Sequence, residues 1–403
     1  MKRAWCGLMA AALALAGLPA AAQTGGPVKL GVLTDLSGPY ADAAGQGSAL
    51  MAELALEDFG GQLFGKPVAI VSADHQNKTD VGTSIARQWL DVEGVNAIFD
   101  TPNSGVMLAV QEVVRQKGGL LFTSGGGASS FTGALCSPYG FQWTYDTFAL
   151  ANGAGRELAR QGLKRWYLLQ VDYAFGEAAA SDLDKVVTAA GGQVVGRVKT
   201  PLNTPDFSSF LLQAQSSGAQ VVALLNAGKD TSNSVKQANE FGLTKAGQRL
   251  FGVIFFEADA LAVGLENAQG LLTTSPFYWA QSAPAEAVSR RFMAKMGRAP
   301  SWVQIGVYSA VLNYLKAAQA TGTTDRDAVA KTIRSMPIDD AFVTGGKVRA
   351  DGRMLHEMLL TQVKSPDDMK ATTKGPQDVF KIIGTIPAAE AARPLDGSCP
   401  SAK

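Results

Sequence analysis

The chain has 403 residues, with 36 basic side chains against 35 acidic ones, two histidines and three cysteines. So balanced a charge leaves no electrostatic footprint for nucleic acid or an anionic membrane surface. The length exceeds what one core usually holds, so two domains are expected, and so few histidines and cysteines leave little for metal ligation or nucleophilic catalysis.

Residues 1–22 read as a secretory signal peptide. Lys2 and Arg3 lead, 8–18 is apolar, and Ala20-Ala21-Ala22 is a small-residue cleavage site before Gln23. The apolar run is shorter than the roughly 20 residues a membrane span needs, and no later segment meets that length. Without Lys2 and Arg3 the mature chain carries 34 basic and 35 acidic residues, a net charge of −1. Only Cys136 and Cys399 then remain. In an oxidising compartment such a pair is expected to be bridged rather than two unrelated thiols, tying the C-terminus to the loop near 136.

The first mature segment is an apolar strand at 30–33, then a loop with Ser37-Gly38-Pro39-Tyr40, then a helix with Leu50 and Leu54 at helical spacing. The loop lacks the GxGxxG spacing of a dinucleotide site and reads as one wall of a small-molecule site, with Tyr40 in it. Strands at 67–73, 95–99 and 119–123 alternate with helices at 80–91 and 104–117, the pattern of a parallel sheet covered on both faces. Asn103 and Ser104 open the second of these helices, Ser104 being equally a cap or a ligand contact. Gly125, Gly126 and Gly127 follow the third strand; they either let backbone N–H groups approach an anion or form a flexible loop.

Residues 124–148 interrupt the alternation, which resumes with strands at 166–171, 193–199, 221–225, 249–255 and 271–274. The helices between them are expected at 177–190, 207–215, 232–241 and 258–266, with Thr204 or Asp206 capping the second. Tyr173 and Phe175 follow the first of these strands, Asn226 and Asp230 the third, Glu257 and Asp259 the fourth. The carboxylates are placed equally well to start helices, where the dipole favours negative charge. Helices at 285–296, 303–320 and 325–336 suggest a return to the first domain, before a polar hairpin at 345–356 and strands at 358–363 and 379–385. His356 is expected to pack at a strand edge, and His75 lies in a polar turn. No GxSxG, P-loop, CxxC or HExxH motif is present.

LSGPYAD at 36–42, DYAFGE at 172–177, FQWTYDTFALANG at 141–153, PLNTPDFSSFLLQAQ at 201–215, NAGKDT at 226–231 and AQGLLTTSPFYW at 268–279 together resemble the periplasmic type I solute-binding proteins of ABC importers. The class is that of branched-chain amino-acid-binding proteins, in a branch that includes aromatic-compound binders. The resemblance spans 27–399. It implies an α/β fold of two doubly wound Rossmann-like lobes joined by three crossovers: lobe 1 at 27–144 plus 276–358, lobe 2 at 145–275 plus 359–395, and a tail at 396–403. It implies a periplasmic, monomeric, non-enzymatic protein that closes on a small molecule and delivers it to an inner-membrane ABC permease, with no cofactor, metal or nucleic acid. A sensory subunit of the same fold, or less favourably an exported two-domain enzyme, is the alternative.

The ligand loops implied by the family fall at Tyr40, Asn103, Ser104, Gly125, Gly126 and Gly127, and opposite at Tyr173, Phe175, Asn226, Ala227, Asp230, Glu257 and Asp259, with Tyr145 and Trp302 or Gln304 as further contacts. Gly127 stands where a hydroxyl is expected in amino-acid binders, and Ala227 where a tyrosine is expected. The two departures suggest more room and a flatter ligand, an aromatic or aryl carboxylate in place of a branched-chain amino acid.

Overall fold

A computed structural model describes residues 27–371 and 373–402. The signal peptide expected at 1–22 lies outside the described residues. The first sheet holds β1 (Lys29–Thr34), β2 (Ala69–Asp74), β3 (Val95–Asp100), β4 (Leu120–Thr123) and β5 (Gly140–Gln142), in the order β2-β1-β3-β4-β5 with every pair parallel. Strand β5, inside the stretch read as an interruption, was missed because three residues in Gly- and Ser-rich surroundings carry no usable period.

Alternate strand residues go to opposite faces. Leu30, Val32, Phe99 and Phe122 pack on one side with α1 (Gly45–Phe59) and α9 (Trp302–Thr321), while Leu33, Ile98 and Leu121 meet α2 (Thr79–Gln88) and α3 (Ser104–Lys117) on the other. Phe99, Phe122 and Phe141 stack with ring centroids 5.3 and 4.7 Å apart, and Tyr314 of α9 meets Phe99 edge-on at 6.0 Å. Each such fully buried ring contributes about 2–3 kcal/mol by leaving water. Helix α9 is buried almost all round, so its ends rest on local chemistry: Ser301 and Gln304 form a capping box, and Gly322 closes it at φ 68°.

The second sheet holds β6 (Arg165–Val171), β7 (Gln193–Thr200), β8 (Val221–Leu225), β9 (Arg249–Gly252), β10 (Leu272–Ser275), β11 (Met358–Val363) and β12 (Phe380–Ile386), in the order β12-β11-β10-β9-β8-β6-β7. Its first five strands in sequence are parallel and repeat the order of the first sheet; β11 and β12 are added antiparallel at the edge. Helices α4 (Ala174–Ala189), α5 (Ser208–Ser216), α6 (Lys229–Glu240) and α7 (Glu257–Val263) connect the parallel strands. The start of α5 falls beyond both expected caps, though the Asp206 carboxylate still accepts from the Ser208 N–H at 2.8 Å.

The chain thus crosses between sheets after β5, returns after β10 to build α8 (Ala283–Met296), α9 and α10 (Arg326–Ser335) on the first sheet, and crosses again into β11. The hairpin of Lys347–Val348 with Met354–Leu355 forms as expected, but it is not a solvated turn. Arg353 is buried, pairs with Asp146 at 3.1 Å, and donates to the carbonyls of Gln142 and Thr144 in the first crossover. His356 is also buried, with Nε2 2.6 Å from the Thr144 carbonyl. The Cys136–Cys399 disulfide is formed, carrying the tail beyond β12 back to the loop between β4 and β5.

Candidate functional site

In an open sheet of this order, ligands bind where the winding reverses, outside the carboxyl ends of the strands. For the first sheet that point lies between β1 and β3, and the loops leaving it carry Tyr40 and Asn103-Ser104. For the second it lies between β6 and β8, and the loops leaving it carry Tyr173-Phe175 and Asn226-Asp230. The two reversal points face each other.

Asp35 shapes the first loop: its carboxylate accepts from the N–H groups of Gly38 at 2.7 Å and Tyr40 at 3.0 Å. That aims the Tyr40 phenol across the gap to the Tyr173 phenol, 2.6 Å away. Burial raises both phenols well above the usual tyrosine range, so both stay neutral. The backbone also touches here, since a Cβ on Gly228 (φ +60°) would lie 2.7 Å from the Pro39 carbonyl oxygen. Beneath the first loop, Asp100 and Thr101 hold positive φ values of 85° and 52°, which is rare outside glycine. The Thr34 hydroxyl donates to Asp100 at 2.7 Å, and burial pushes this carboxyl up to about 7.

An aromatic group continues from this contact. The Tyr173 and Phe175 rings lie 6.2 Å apart, and Phe175 and Tyr145 both close over Gly127, where an added Cβ would come within 3.2 and 2.5 Å of them. Tyr145 donates to the Gly125 carbonyl at 2.6 Å and meets Trp302 edge-on at 6.2 Å. Trp302 in turn packs at 4.5 Å on Phe256, which precedes α7. Trp302 is buried, and its indole N–H has no partner among the described residues.

Several expected contacts are differently employed. The N–H groups after β4 are not open to an anion: those of Ser124 and Gly125 reach the Asp100 carbonyl, that of Gly126 the Thr123 hydroxyl, and those of Gly127 and Ala128 the Ser104 hydroxyl. Ser104 therefore pins the glycine loop, while the cap of α3 is Asn103, whose side chain accepts from Gly105 and Val106 and donates to Asn77. Gly126 is small because Met107 packs against it. The room at Gly127 is taken up by Tyr145.

On the opposite side, Asn226 is buried and accepts from the Thr231 hydroxyl at 2.8 Å. The Gln304 amide ties the carbonyls of Asp42 and Ala44 to α9. Asp230 accepts from the Asn203 N–H at 3.0 Å, and burial raises it to about 6. Asp259 accepts from the Phe256 N–H and the Ser232 hydroxyl, while burial raises it to about 6. Burial pushes Glu257, the first residue of α7, up to about 8, so at neutral pH it is mostly the protonated acid.

A cavity of about 360 Å³ adjoins the aromatic group, lined from one side by Pro39, Asp42, Arg298 and Ser301 and from the other by Gly228, Phe256 and Glu257. Phe256 and Arg298 were not singled out from the sequence: the first sat beside a more conspicuous carboxylate, and the second resembled an ordinary cation after a helix C-terminus. Among the described residues, no group of three His, Cys, Asp or Glu side chains is placed to hold a metal ion, and no helix is long and apolar enough to cross a membrane.

Residues 27–370 match the family described as periplasmic binding protein. The chain belongs to that family. It is similar to a periplasmic binding protein from Burkholderia mallei, at 43% identity and a TM-score of 0.90 over 94% of this chain and 99% of the other. It also resembles a branched chain amino acid ABC transporter periplasmic ligand-binding protein from Burkholderia xenovorans LB400, at 40% identity and a TM-score of 0.84 over 93% and 100%. A solute-binding protein of an ABC transporter from Rhodopseudomonas palustris BisB5, in complex with 3,4-dihydroxybenzoic acid, shares the fold at 21% identity and a TM-score of 0.80 over 90% and 98%. Members of this family are periplasmic binding proteins.

Proposed function

We propose that this periplasmic binding protein, acting as a monomer, captures an aromatic carboxylate between its two sheets. The observation that carries the reading is the unpartnered indole N–H of buried Trp302, whose ring lies between Tyr145 on one side and Phe256 on the other, with Phe175 and Tyr173 following beyond Tyr145 over Gly127. A flat ring gains area against such faces, and a carboxylate oxygen supplies the missing acceptor. The segments 27–144 plus 276–358 move as one lobe and 145–275 plus 359–395 as the other, hinged at the crossovers. The closed form is favoured because only it touches the solute from both sides.

A branched-chain amino acid fits less well. Its ammonium would meet Glu257, and ionising that carboxyl at pH 7 from about 8 costs about 1.4 kcal/mol. Its carboxylate would meet a glycine loop whose N–H groups are already engaged. Trp302→Phe keeps the ring and removes the donor. Calorimetric titration with benzoate or 4-hydroxybenzoate should show affinity lowered by about tenfold or more, as for a hydrogen bond to a charged group. An unchanged affinity would contradict the assignment.

A further inference from the structure

The cavity beside the aromatic group is lined by a guanidinium without an ion-pair partner among the described residues. Arg298, partly buried, lines it; among the described residues it makes no ion pair or hydrogen bond, only a cation–π approach to Phe292 at 6.0 Å. Lys229 and Lys236 also line the cavity, and neither has an ion-pair partner among the described residues. Opposing them are Asp42, which faces Arg298 without reaching it, Asp259, already holding two hydrogen bonds, and Glu257, mostly neutral at pH 7. The cavity therefore leaves a guanidinium, the side chain best shaped to grip a carboxylate through two parallel hydrogen bonds, without a partner.

Its position joins it to the solute site. Pro39 precedes Tyr40, Ser301 precedes Trp302, and Phe256 packs directly on Trp302, so the cavity continues the aromatic group past one wall of rings. Its walls come from both sheets, so it is complete only when they are closed on each other.

We propose that this cavity is an acid subsite centred on Arg298, and that the solute is an aromatic diacid: one carboxylate meets the Trp302 N–H and the second lies against Arg298. Protonated Glu257 donates a hydrogen bond to that second group, and Lys229 and Lys236 add long-range attraction at the mouth. An anion held there bridges the two halves and adds to closure. The inference rests on the aryl-carboxylate reading above and extends it.

The test is calorimetric titration of the mature protein with benzoate, terephthalate, isophthalate and the monoamide of terephthalate, repeated on Arg298→Gln and Arg298→Lys. Because Arg298 holds no ion pair, neither variant should lose the fold, and thermal unfolding without ligand checks this. The expected result is that at least one diacid binds about tenfold or more tightly than benzoate and the monoamide, that Arg298→Gln removes the difference, and that Arg298→Lys restores part of it. Equal affinity for benzoate and the diacids, or a diacid affinity unaffected by Arg298→Gln, overturns the subsite and leaves the aryl-carboxylate reading standing. Absence of binding by every ring acid overturns both.

Discussion

The phenols of Tyr40 and Tyr173 lie 2.6 Å apart, one on the loop after β1 and the other at the start of α4. This hydrogen bond joins the winding-reversal points of the two sheets, and under the proposed hinge closure it belongs to the closed form alone. Tyr173→Phe keeps the ring and removes the bond. A net hydrogen bond is worth about 0.5–1.5 kcal/mol, so solute affinity should fall about two- to tenfold with the unfolding midpoint nearly unchanged. Titration calorimetry and a melting curve check both halves of that statement.

Gly127 is held to glycine by contact, because an added Cβ would lie 2.5 Å from the Tyr145 ring. Gly127→Ser, which restores the hydroxyl expected of amino-acid binders, should cost about 1–3 kcal/mol of stability by overpacking. It should not create leucine binding. Urea unfolding and a leucine titration measure the two effects separately.

Arg353 and Asp146 form a buried ion pair, and Arg353 also holds crossover carbonyls. Removing one partner strands the other charge in the interior. Asp146→Ala should therefore destabilise by about 3–5 kcal/mol, seen as a lower urea midpoint.

Breaking the link between Cys136 and Cys399, which are 263 residues apart, frees a long loop in the unfolded chain. Cys399→Ser paired with Cys136→Ser should lower stability by about 2–4 kcal/mol. The same urea experiment, run beside the reduced wild type, tests it.

Two buried groups give the pH dependence opposite slopes. Burial raises Glu257 from 4.5 to about 8, so its contribution is full at low pH and is lost as pH rises through that window. Burial and the neighbouring Arg353 lower His356 from 6.5 to about 4, so its contribution is full above 6.5 and is lost as pH falls toward 4. Glu257→Gln should flatten the decline in urea midpoint between pH 6 and 8 and leave the fall below pH 6 in place.

Much of the fold was legible because unbroken apolar strands and periodic helices carry their own signal. Helix α3 was read at its observed bounds, and the return of α8 to α10 to the first sheet followed from their late place in the chain. The site was legible at the level of loops: Tyr40, Tyr145, Tyr173, Phe175 and Trp302 do come together. What the side chains do there was not legible. The engagement of the glycine-loop N–H groups depends on Ser104 and Asp100, which are brought near by strand pairing, and the role of Arg353 depends on a hairpin meeting a crossover 209 residues away in sequence. Such contacts leave no local period to read.

Thermal unfolding of residues 23–403 against benzoate, 4-hydroxybenzoate, terephthalate, leucine and valine separates an aromatic acid from an amino acid as the solute. A solute that binds only the native state raises the midpoint by mass action. The expected result is a rise with one or more of the ring acids and none with leucine or valine. A rise with leucine or valine alone would contradict it, and an amino acid would replace the aromatic acid as the solute.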